Sequence, residues 1–124
     1  MISAPKGVLR LAALKMLSES SLSGTDLALQ VQRVTAGAWK PGPGSIYLVL
    51  KELLKKGLIT ELPKREGNVR RYVISTKGKA ELARLSRETL ADVKRQAELL
   101  AVYSFLAGNT ELEGKVRAFS STLA

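Results

Sequence analysis

Apolar residues recur along most of this chain at intervals of three and four, and one short stretch replaces that spacing with β-rich segments and turn residues. From about Lys6 to Glu19, Leu9, Ala12 or Ala13, and Met16 fall on one stripe that Val8 and Leu11 widen, which predicts a first helix. "SESSLSG" interrupts the pattern. Ser23 with Asp26 three positions on resembles a capping box, because both side chains can satisfy free backbone amides at a helix start. Leu27, Val31 and Val34 follow at i, i+4 and i+7, predicting a second helix to about Val34 that Gly37 ends. Lys40-Pro41-Gly42-Pro43-Gly44 cannot be helical throughout, but Pro43 suits a first turn, where its missing N–H is no loss. A third helix then runs to about Lys56, with Gly57 placed for a left-handed C-terminal cap.

That stretch is "LITELPKREGNVRRYVIS", in which β-rich segments flank turn residues, and it reads as a β-hairpin. Ile59 to Leu62 and Val69 to Ser75 are its strands, and Pro63 to Asn68 carry the turn signals. Thr76 can cap the next helix, which extends from about Lys77 to Leu106 without a proline. Gly108-Asn109 stops it. Thr110 and Glu113 form another capping-box pair for a short final helix. The predicted architecture is mainly α with a small β-hairpin. Three helices followed by a hairpin is the order of a winged helix-turn-helix, here followed by a long C-terminal dimerisation helix. Residues 1–76 would form the winged domain and 77–124 the helical dimerisation region.

Sorted at 100° per residue, the third helix has one broad core side of Ile46, Val49, Leu50, Leu53 and Leu54. Gly44, Leu48, Lys51 and Lys55 lie opposite, flanked by Ser45 and Tyr47. Leu48 is thus a large apolar residue expected to be exposed. Either a thymine methyl meets it, or it packs locally or on another subunit. From Leu82 the apolar stripe of the long helix continues through Leu85, Leu90, Val93, Ala97, Leu100, Tyr103 and Leu106. A lone projecting helix cannot bury such a stripe, so pairing with a second copy is expected.

Charge sharpens this picture. The 124-residue chain carries a formal +9 and has a pI near 10.1, which favours a polyanionic partner, nucleic acid before an anionic membrane surface. From Met1 to Ser75 there are 12 basic and 5 acidic residues, a net of +7, against 8 and 6, a net of +2, from Thr76 onward. The excess therefore sits in the winged part. It forms two clusters: Lys51, Lys55 and Lys56 on the third helix, and Lys64, Arg65, Arg70 and Arg71 about the hairpin turn. Cations so placed bind phosphates without regard to sequence by releasing counterions.

With no cysteine and no histidine, the chain lacks disulfides, thiolate sites and the commonest general base and metal ligand. No carboxylate pair has a catalytic spacing and no G-x-x-x-x-G-K-[ST] motif occurs, so neither an enzyme, a cofactor nor a metal is expected. No apolar run reaches the roughly 20 residues of a membrane span. Lys6, Arg10 and Lys15 break up any signal-peptide core, and a cytoplasmic location without membrane attachment is expected.

"WKPGPGSIYLVLKELLKKGLI" closely resembles the PadR-type transcriptional regulators, whose signature is Trp-Lys-Pro-x-x-Gly-x-Ile-Tyr-Pro-x-Leu followed by a basic helix end and a Gly-Leu-Ile entry to the wing. "ELPKREGNVRRYVISTKGKAEL" is similar to that family's wing, and the likeness spans roughly Lys6 to Leu82. Two positions depart from it. Leu48 stands where the family usually has proline, and Gly24-Thr25 where it usually has Gly-Tyr. The resemblance implies a homodimer that represses transcription on palindromic double-stranded DNA. In many members a small hydrophobic, often aromatic, effector releases the DNA. The resulting DNA-contacting candidates are Lys40, Gly44, Ser45, Tyr47, Leu48, Lys51 and Lys55 on the recognition helix 43–56 and its approach, with Lys64, Arg65, Arg70 and Arg71 on the wing 59–75. Dimer contacts would fall to Leu85, Val93, Leu100 and Tyr103. Trp39 either packs the second helix on the third or lines an effector cavity. The competing reading is a winged helix that contacts RNA or protein without operator recognition.

Overall fold

The structure, a computed structural model, describes residues 7–63 and 67–123. The chain divides into two compact units, Met1–Ala83 and Arg84–Ala124, with the division inside one long helix.

The first unit holds α1 (Val8–Glu19), β1 (Leu22–Ser23), α2 (Gly24–Val34), α3 (Pro43–Lys55), β2 (Ile59–Glu61), β3 (Arg71–Ile74) and the opening turns of α4 (Thr76–Leu106). The three strands form an antiparallel sheet in the order β1-β3-β2. Ile59 pairs with Ile74 and Glu61 with Tyr72, while Leu22 and Ser23 sit opposite Tyr72 and Arg71 on the other edge. This is a winged helix-turn-helix, with a third strand added. The two-residue β1 is too short to leave a periodic signature, so the pattern showed a hairpin only.

Alternation along β3 turns Tyr72 and Ile74 into the core. There they join Ala13, Leu14, Met16 and Leu17 of α1, Leu27 and Val31 of α2, Ile46, Val49, Leu50 and Leu53 of α3, and Leu22, Leu58 and Ile59. Leu54, expected in this core, is 36% exposed at the margin of the α3 face. The start of α2 packs on α3: a Cβ at Gly24 would stand 3.4 Å from the Ile46 and Leu50 side chains, an ordinary packing distance.

Helix ends explain where the elements begin and stop. Ser23 and Asp26 form the expected capping box on α2, each side chain accepting the other residue's amide. At the C-terminus of α2, the N–H of Ala36 reaches Arg33 and that of Gly37 reaches Gln32, the Schellman pattern. Two successive residues there are left-handed, Ala36 (φ 51) and Gly37 (φ 80), the glycine that sequence pointed to. Helix α3 closes the same way, with Gly57 (φ 72) bonded to Leu54 and Leu58 to Leu53. Ser75 rather than Thr76 caps α4, its Oγ accepting the Gly78 N–H at 3.0 Å. Asn109 rather than Thr110 caps the final helix. In each case two adjacent residues can cap, and the one just outside the helix does so.

The corner between α3 and β2 is locked to the start of α4. Ser75 N–H donates to Leu58 O at 3.0 Å, Ser75 Oγ–H to Gly57 O at 2.7 Å and Lys77 Nζ to Lys56 O at 2.9 Å. Gly78 makes this approach possible, because a Cβ on it would lie 2.0 Å from the Leu58 carbonyl oxygen.

The second unit holds the rest of α4 and α5 (Thr110–Ser121). Ala97, Ala101 and Ser104 are its buried residues, at i, i+4 and i+7 of α4. Leu90 and Val93 continue that face but are exposed, and so are Leu99, Leu100, Val102, Tyr103, Phe105 and Leu106. On α5, Leu112 and Phe119 are exposed as well.

Candidate nucleic-acid interface

Helix α3 starts on a segment that cannot bend into the preceding helix. Gly42 is its extended N-cap (ψ 162) and Pro43 its first residue. Gly42 offers no side-chain cap, so the amides of Gly44 and Ser45 lack helical partners and face outward at the positive end of the helix dipole. A Cβ at Gly42 or Gly44 would meet nothing within 4 Å, so packing inside the protein does not require glycine there. The open space lies outside, where a phosphate could approach the amides.

Burial of Ile46, Val49, Leu50 and Leu53 fixes which way the other face looks. Ser45, Tyr47, Leu48, Lys51 and Lys55 are all exposed, Tyr47 and Leu48 at 65% each. Lys40 is exposed just before the helix. Lys56 is tied to Glu52 at 2.8 Å, and Arg10 reaches the same carboxylate oxygen at 3.4 Å. Among the described residues no ion pair is seen for Lys51 or Lys55, which leaves both ammonium groups for another anion.

A groove of about 490 Å³ runs between the start of α2, the first half of α3 and the base of the wing. Pro41, Pro43, Ile46, Leu50 and Val69 supply apolar lining, and Thr25, Tyr47, Asn68 and Arg70 supply polar groups. The fold thus brings Tyr47 and Arg70 onto one groove although 23 positions separate them in the chain. Thr25 and Asn68 were not foreseen as part of it. Asn68 reads in sequence only as a turn residue, and Thr25 only as a helix opener.

The wing divides. Arg70 is exposed, its Nε 3.6 Å from Glu61 Oε1. Arg71 instead folds back into the domain, donating to Ser21 O at 2.8 Å and to Asp26 Oδ2 at 3.3 Å. Lys64 and Arg65 lie outside the described residues. Trp39 is half-buried, with its N–H and C=O both bonded to Thr35 Oγ1 at 3.1 and 3.2 Å. It does not line the groove. Among the described residues no group of His, Cys, Asp and Glu could hold a metal ion, and no helix is long and apolar enough to cross a membrane.

A basic recognition helix, a wing on its flank and a long helix after them are the parts of a winged-helix transcriptional regulator. The chain belongs to the transcriptional regulator PadR-like family, whose model matches residues 13–84. It is 27% identical over 117 residues to the transcriptional regulator YqjI of Escherichia coli (strain K12), across 94% of this chain and 56% of that protein. The chain therefore spans about half the length of this curated relative. A transcriptional regulator from Clostridium thermocellum, Cth-833, superposes with a TM-score of 0.74 at 19% identity, over 81% of this chain and 99% of that one. Bacillus subtilis PadR, in a complex with operator DNA, gives 0.56 at 17% identity, over 94% and 95%. At these identities the two structures establish the shared fold.

Proposed function

We propose that this regulator binds double-stranded DNA as a homodimer, laying the exposed face of α3 in the major groove and its wing along the flanking backbone. One observation carries the reading: burial of the apolar side of α3 turns Ser45, Tyr47, Leu48, Lys51 and Lys55 outward together, beside Arg70. Recognition helices of this class contact base edges through their N-terminal half, where Ser45 and Tyr47 offer hydroxyls and Leu48 an apolar surface for a thymine methyl. Gly44 leaves room for a phosphate at the helix start, and Lys40, Lys51 and Lys55 supply phosphate contacts. Lys64 and Arg65, at the wing turn by sequence, would extend that set. Bacillus subtilis PadR in its complex with operator DNA supports the docking mode by shared fold.

The dimer is supported by the apolar surface of the second unit. Monomeric proteins rarely expose contiguous apolar patches larger than a few hundred Å², yet Val93, Leu100 and Tyr103 of α4 are 42%, 56% and 57% exposed. With Leu85 they would supply the contact stripe of that dimer. A two-fold pair reads a palindrome with half-sites about 34 Å apart. Repression, and release by a small hydrophobic effector, follow from the family resemblance and complete the proposal.

The test is a binding titration of the full chain against its own upstream DNA, a random duplex and a structured RNA at rising salt. Tighter binding to the upstream DNA, weakening steeply with salt, is the expected result. Equal affinity for all three would replace operator recognition by a general nucleic-acid contact.

A further inference from the structure

Arg70 and Arg71 are neighbours in sequence with opposite surroundings. Arg70 precedes β3, its side chain 56% exposed on the groove beside α3. Arg71 is the first residue of β3, opposite Ser23 of β1, and its side chain is 31% exposed. Both of its terminal nitrogens are engaged: one donates to Ser21 O at 2.8 Å, the other to Asp26 Oδ2 at 3.3 Å. The partners stand 50 and 45 residues away in sequence. The same Asp26 oxygen accepts the Ser23 N–H at 3.3 Å within the capping box. One carboxylate thus joins the cap of α2 to the strand that carries the wing.

We infer that Arg71 is a positioning residue for DNA recognition and not a phosphate contact: its forked guanidinium clamps the base of the wing to the start of α2. The inference rests on the DNA-binding reading. Its physical content lies in what the clamp holds. Ser23, Gly24 and Thr25 line one side of the 490 Å³ groove, and Asn68, Val69 and Arg70 line another. Arg71 adjoins the second group and bonds the residues flanking the first. Its two bonds therefore reinforce the short β1–β3 pairing in fixing how far the wing stands from the helix-turn-helix, and where Arg70 lies relative to Tyr47. Arginine suits the task because its planar fork reaches two acceptors at once. A lysine is a point charge on a flexible stem and cannot hold both in register.

The substitution R71K separates the two roles, because it keeps the charge and removes the fork. The full chain and its R71K, R71A, D26N and R70A variants would be titrated against its own upstream DNA and a random duplex over a salt series. Thermal melts would give the folded fraction. R71K is expected to lose about tenfold in affinity for the upstream DNA, and most of its preference over the random duplex, with the wild-type salt slope retained. R70A is expected to lower the slope by about 0.9, as loss of one phosphate contact does. R71A in the D26N background should add little to D26N alone, since the two residues act as one unit.

R71K behaving as wild type while R71A loses about one slope unit would make Arg71 a phosphate contact and overturn the inference. Wild-type binding by both variants, or losses that only track the folded fraction, would overturn it too. A wild-type chain that binds no duplex at low salt would defeat the DNA-binding reading itself, and that outcome is recognisable before any variant is made.

Discussion

Gly78 offers a sharp test of how the winged domain is built. It sits in the first turn of α4, and a Cβ added there would lie 2.0 Å from Leu58 O and 2.7 Å from Ile74 Cγ1. Restoring an ordinary contact of 3.4 Å to a backbone oxygen requires α4 to retreat by about 1.4 Å. Overpacking of this kind costs about 1–3 kcal/mol. The retreat also loosens the bonds from Ser75 and Lys77 to Gly57, Leu58 and Lys56, worth about 1 kcal/mol for each one lost. Alanine's better helix propensity returns roughly 0.5–1 kcal/mol. The expected net loss for Gly78→Ala is about 2–3 kcal/mol. Gly114 is the internal control, since it is also helical but a Cβ there meets nothing within 4 Å. Gly114→Ala should stabilise the chain by roughly 0.5–1 kcal/mol. Urea unfolding followed by circular dichroism, at one fixed chain concentration, measures both. Equal stability of the G78A variant and the wild type, or the same sign for both substitutions, would refute the argument from close approach.

Other consequences are equally direct. Lys51→Ala should weaken binding to every duplex alike and lower the salt slope by about 0.9, read by fluorescence anisotropy. Ala36→Gly should raise the melting temperature by a few degrees. A left-handed L-residue costs about 1–2 kcal/mol, and the added freedom of the unfolded glycine returns only about 0.5–1 kcal/mol of that. Leu53→Ala, at a fully buried position, should destabilise by about 2–5 kcal/mol in the same urea assay. Leu100→Glu with Tyr103→Glu should convert a two-chain species to one in sedimentation equilibrium while leaving the helical signal intact, because both side chains are more than half exposed.

Much of the recognition helix was legible in sequence because its information is local. The Pro-Gly cluster dictates where α3 begins, Gly57 where it ends, and the three-four spacing which side is buried. Leu54 escaped because a helical wheel has no sharp edge, and its position lies at the margin of the covered face. Cap assignments shifted by one residue at Ser75 and Asn109, where the next side chain can also accept a backbone N–H. Strand β1 was hidden for a different reason. Two residues carry no period, and their pairing with β3 depends on a chain segment some 50 positions away. Arg71 belongs with β1. Nothing near it in sequence distinguishes an outward arginine from one folded onto Asp26, and only the tertiary fold brings the acceptors to it. The demand for glycine at position 78 is hidden in the same way, since the obstacle is a carbonyl on another element.

The central claim is that two copies of the outward face of α3 read one DNA duplex. A hydroxyl-radical footprint of the full chain on its own upstream DNA tests it most directly. The account predicts two protected patches, related by a palindrome and centred about one helical turn apart, near 34 Å. A single patch without internal symmetry, or uniform protection that follows no sequence, would contradict it.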